Sequence, residues 1–85
     1  MWNYAIRKVK DSHYVCITKD NSCDYNEDFN YVIGLFQGKH ESPIEGVFRV
    51  PVDFGVEAML KSAGFTKGEK AKEILGYYKE YGYLK

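Results

Sequence analysis

His13, Cys16, Cys23 and His40 are four potential zinc ligands in this 85-residue sequence, and their types could also pair a thiol with an imidazole. Structural zinc sites present their ligands in pairs two to four residues apart, so that one turn delivers both. His13 and Cys16 have that separation, but three residues along a strand put them on opposite faces. Cys23 and His40 have no close partners, and no metal is expected. Asp20 and Asp24 flank Cys23 and disfavour the thiolate that a nucleophile needs.

Asp20, Ser22, Asp24 and Asn26 are spaced like the start of a calcium loop. Such a loop needs glycine at its sixth position and glutamate at its twelfth, where this chain has Tyr25 and Tyr31. The stretch GEKAKE lacks the GK[ST] of a phosphate loop, and no GxGxxG occurs. No catalytic constellation and no cofactor are expected, and the chain reads as one that binds without catalysing.

The elements that would carry such binding can be read from pattern. Beginning at Met1, the sequence is expected to be one complete domain over 1–85, large enough for a single core. The fold class expected is α+β, a small antiparallel sheet packed on two or three helices. WNYAIRKV and YVCITK form an N-terminal hairpin. With Asp11 and Ser12 as its turn, Ile6 falls opposite Ile17 and Lys8 opposite Val15. One face then carries Trp2, Tyr4, Ile6, Val15 and Ile17 and is expected to be the buried one.

Tyr25, Phe29, Val32, Ile33 and Phe36 follow the spacing of a helical face, and Asp24 with Glu27 imitates a capping box. The β-branched content of 31–33 leaves a strand as the alternative. KHESP reads as a polar connector, and 44–50 as a third strand ended by Pro51. Asp53 suits the N-cap of a helix with Val56, Met59, Leu60 and Ala63 on one face. Gly64 is placed to close it in a Schellman turn that returns Phe65 against Leu60. Thr66 and Glu69 complete a capping box for the last helix, whose inner stripe is Ala71, Ile74, Leu75 and Tyr78. These last two helices form a C-terminal helical pair, and Gly82 ends it.

That placement leaves Tyr77 and Tyr81 on another flank, four residues apart. Twelve basic and twelve acidic residues cancel overall, so the whole molecule has no field for a polyanion. Locally, residues 1–19 hold Arg7, Lys8, Lys10 and Lys19 against Asp11, whereas 20–31 hold Asp20, Asp24, Glu27 and Asp28 with no base.

The tail with Tyr77, Tyr78, Lys79, Gly82, Tyr83 and Leu84 resembles, over about nine residues, a stretch in the DNA-binding domains of the mercury-resistance regulator family. There the turn before the helix lies closer to the tyrosine pair than Gly64 and Phe65 do here, and an arginine stands where this chain has Gly76. The resemblance implies a helix-turn-helix whose second helix carries Lys67, Lys70, Lys72 and Lys79 toward DNA. Glu69, Glu73 and Glu80 on the same helix oppose that use.

The principal expectation is a small regulator or inhibitor of another protein, of the kind phages and mobile elements encode, able to form a homodimer. Its contact residues are Tyr77 and Tyr81, then Asp20, Asp24, Glu27 and Asp28. The alternative is a nucleic-acid binder using Arg7, Lys8, Lys10, Lys67 and Lys70. No stretch approaches the roughly 20 apolar residues that span a bilayer. With no apolar N-terminal run, the two cysteines are expected to be reduced in the cytoplasm.

Overall fold

A computed structural model describes residues 2–19, 29–38, 40–44 and 46–82. The acidic residues Asp20, Asp24, Glu27 and Asp28 lie outside the described residues, as do Cys23, Tyr25, Tyr83 and Lys85. The fold is α+β. Strands β1 (Trp2–Val9), β2 (Ser12–Lys19), β3 (Glu41–Ile44), β4 (Val47–Pro51) and β5 (Thr66–Lys67) form one mixed sheet in the order β3-β4-β2-β1-β5. Helices α1 (Phe29–Leu35), α2 (Val56–Ser62) and α3 (Glu69–Glu80) pack on it.

The hairpin turns one residue earlier than the sequence suggested. Val9 pairs with Ser12 around Lys10 and Asp11, so that Ile6 lies opposite Val15 and Lys8 opposite His13. Drawing Ser12 into the ladder also lets its hydroxyl accept a hydrogen bond from Arg49 Nε on β4, at 3.0 Å. The slip is two residues, and because side chains alternate with period two, each keeps its expected face.

Both faces of the sheet are buried, where only one was expected to be. Tyr4, Val15, Ile17, Phe48 and Val50 meet Val32, Phe36, Val56, Leu60 and Phe65 on the face that carries α1 and α2. The Phe36 and Phe48 rings lie 4.8 Å apart at its centre. Tyr14, Cys16 and Val47 meet Ala71 and Leu75 of α3 on the other face. The mixed composition of that second face concealed its burial, because Tyr14, Cys16 and Thr18 are only partly apolar yet all buried.

The segment taken for a polar connector contains β3, which pairs with β4 at Glu41↔Arg49 and Ile44↔Val47. An edge position tolerates Pro43, whose missing donor would break a central ladder. Arg49 Nη1 reaches Glu41 Oε2 across the pair at 3.6 Å. The helical reading of the segment ending at Phe36 holds over 29–35, with Val32 and Phe36 fully buried.

Asp53 is not the cap of α2. It lies inside a 3-10 turn, Val52–Phe54, and Gly55 at φ 70° is the residue that enters the helix. Gly64, at φ 90°, closes α2 as expected: the Phe65 N–H donates to the Leu60 carbonyl at 3.0 Å and the Gly64 N–H to the Lys61 carbonyl at 3.1 Å. These are the two bonds of a Schellman motif. Phe65 then stacks on Trp2, centroids 5.8 Å apart, and Lys19 Nζ lies 5.5 Å from the Trp2 ring centroid.

Thr66 does not begin α3. It joins β5, parallel to β1 through Asn3↔Thr66 and Tyr4↔Lys67, and its hydroxyl accepts from Asn3 Nδ2 at 3.1 Å. Pairing with β1 overrides the local capping pattern, and Gly68 takes the cap position without a side-chain bond. The two C-terminal helices therefore follow one another in sequence while β5 carries the chain from one face of the sheet to the other.

Candidate functional site

Helix α3 organises the surface. Ala71 and Leu75 are buried, with Ile74 and Tyr78 packed beside them, so the helix is pinned to β1 and β2 by one stripe. Glu69 in its first turn and Lys79 in its last complement the helix dipole. The remaining positions divide into two flanks of different chemistry.

The first flank carries Tyr77 and Tyr81, 55% and 63% exposed. Their ring centroids are 4.6 Å apart with planes tilted by 39°, and Tyr78 meets Tyr77 edge-on at 5.5 Å. The i, i+4 spacing accounts for the pair. Beside it Lys70, Glu73, Ile74, Tyr77 and Tyr78 line a shallow depression of about 260 Å³. Two amphipathic rings already in contact with each other present a surface that loses little side-chain freedom on contact.

The opposite flank carries Lys72, Gly76 and Lys79 and faces the outer edge of β1. Two adjoining grooves run along it, of about 490 Å³ and 350 Å³. Tyr4, Ile6, Lys8, Lys67 and Lys72 contribute to the first, and Arg7, Lys8, Lys72, Gly76 and Lys79 to the second. Glu57 and Glu69 also line the first groove. The buried Tyr4 hydroxyl donates to Glu57 Oε2 at 3.0 Å. Burial, then the Glu57 carboxylate as acceptor and as charge, holds the Tyr4 phenol above its ordinary pKa.

Of the cations expected to act together, the structure joins Arg7, Lys8 and Lys67 along these grooves. Lys70 lies apart on the tyrosine flank, and Lys10 is at the exposed hairpin turn. The continuous groove was not legible from sequence, since β5 and the start of α3 bring Lys67 and Lys72 to β1. α2 and α3 do not form a helix-turn-helix: β5 intervenes between them, and the sheet separates their packed faces.

A third cleft, of about 340 Å³, gathers Asp11, Ser12, His40, Glu41 and Arg49. These are residue types from which a hydroxyl nucleophile and its base could be built. The pairing such chemistry needs is not made. Ser12 Oγ accepts from Arg49, whereas the His40 ring lies against Phe36 and Phe48, with centroids at 5.4 and 5.6 Å. Among the described residues, no three His, Cys, Asp or Glu side chains are arranged to hold a metal ion. No described helix is long and apolar enough to cross a membrane.

No protein-family model, curated protein or solved structure matches the chain.

Proposed function

We propose that the chain is a small protein-binding module, a regulator or inhibitor of another protein that acts through the α3 surface. The observation that carries this reading is the Tyr77–Tyr81 pair: two large rings more than half exposed on a helix whose other aromatic, Tyr78, is packed inward. Tyrosine is among the residues enriched at protein interfaces and at their energetic centres. A cytoplasmic setting suits the buried cysteine Cys16.

The test is affinity capture from the native host with the wild-type chain and with the double variant Tyr77→Ala/Tyr81→Ala. The variant is expected to keep its circular-dichroism spectrum and its melting temperature within a few degrees, and to lose the captured partner. Retained capture, or unfolding of the variant, would overturn the assignment.

The cations along β1 and α3 favour a second reading, nucleic-acid binding. Its signature is affinity for labelled duplex or single strands that falls steeply with salt, because neutralised phosphates release counterions. Absence of binding at about 50 mM salt removes it.

A further inference from the structure

We propose that the outer edge of β1 accepts an extended acidic segment of another protein as an added strand. β5 pairs with β1 only at Asn3 and Tyr4, and the last backbone bond on that side runs from the Gly68 N–H to the Tyr4 carbonyl at 3.0 Å. The chain then turns into α3. Among the described residues, no strand continues the pairing beyond Tyr4.

Backbone direction alternates along a strand. The Tyr4 carbonyl faces β5, so Ile6 and Lys8 also turn their N–H and C=O groups away from β2, into the grooves beside α3. Two donors and two acceptors in register are a template for strand addition. The opposite edge of the sheet is treated differently, since β3 carries Pro43.

The charges select the occupant. Arg7, Lys8, Lys67, Lys72 and Lys79 border the edge, against Glu57 and Glu69. An added strand points alternate side chains to the two faces. One set meets Arg7, Lys72 and Lys79 on the α3 side; the other meets Ile6 and Lys8, with Lys67 and Glu57 on the same face. The segment that fits therefore carries carboxylates on its α3-side positions and an aliphatic residue over Ile6. A phosphate backbone offers no donor to the Ile6 and Lys8 carbonyls, whereas a peptide backbone does. A second copy laid two-fold across the same edge would set like charges against each other.

The inference rests on the protein-binding reading but not on the tyrosine pair. The probe is the blocked peptide Glu-Val-Glu-Val-Glu-Val, titrated into isotope-labelled protein. The Ile6 and Lys8 amides are expected to shift and to exchange more slowly with solvent. Lys8→Pro removes one outward donor without touching a bond to β2 and should weaken binding roughly fivefold or more, whereas Lys8→Gln, which keeps the donor, should weaken it less. The same peptide N-methylated at alternate residues tests the bonds from the other side if Lys8→Pro fails to fold. Tyr77→Ala/Tyr81→Ala should leave peptide binding intact, so each surface can fail without the other. Unmoved amides at millimolar peptide, equal binding of the methylated peptide, or tighter binding of an oligonucleotide at these amides would overturn the proposal.

Discussion

Tyr4 joins packing to chemistry within one side chain. Its ring is in the larger core cluster, and its hydroxyl reaches Glu57 at the groove wall. Tyr4→Phe keeps the ring and is expected to cost about 1 kcal/mol near neutral pH, the net worth of one such bond. The alkaline side supplies a further check. The phenol's pKa is raised in the folded protein, so the native state favours the protonated form. That stabilisation is complete below the unfolded value of about 10 and fades as pH climbs through the higher native value. The stability gap between wild type and Tyr4→Phe should therefore narrow above pH ~10, as read by urea denaturation across pH. A gap that widens there would contradict the assignment.

One substitution at two helix-associated glycines is expected to give opposite signs. Gly64 holds φ 90° at the end of α2, a conformation side chains other than glycine rarely adopt, and Gly64→Ala should destabilise by about 1–2 kcal/mol. Gly76 sits within α3, and a Cβ added there meets nothing within 4 Å. Gly76→Ala should stabilise by up to about 1 kcal/mol. Chemical denaturation of both variants checks the pair. These helices were legible because their stripes and the Gly64 stop are local patterns. β3 and β5 were not, because Glu41–Ile44 and Thr66–Lys67 become strands only by borrowing the free sides of β4 and β1. The same limit divides the binding surfaces. Tyr77 and Tyr81 could be placed by helical spacing alone, whereas Lys67 and Lys72 reach β1 through long-range pairing that no local pattern encodes.

For the whole molecule, the consequential fact is that, among the described residues, α3 covers the apolar centre of one side of the sheet. Removing α3 by ending the chain after Gly68 would bare Tyr14, Cys16 and Val47. In a chain this short, which has little core to spare, the truncated protein is expected to lose cooperative unfolding in circular dichroism and to elute as aggregates in size-exclusion chromatography. A monomeric, cooperatively melting fragment would show that the α1–α2 side is sufficient. The same layout bears on birth at the ribosome. Asn3 must wait for Thr66 to pair, and the underside of β2 emerges well before its cover, an interval of seconds at about 5–20 residues per second. Until α3 has emerged, a sticky half-built sheet is what chaperones would meet.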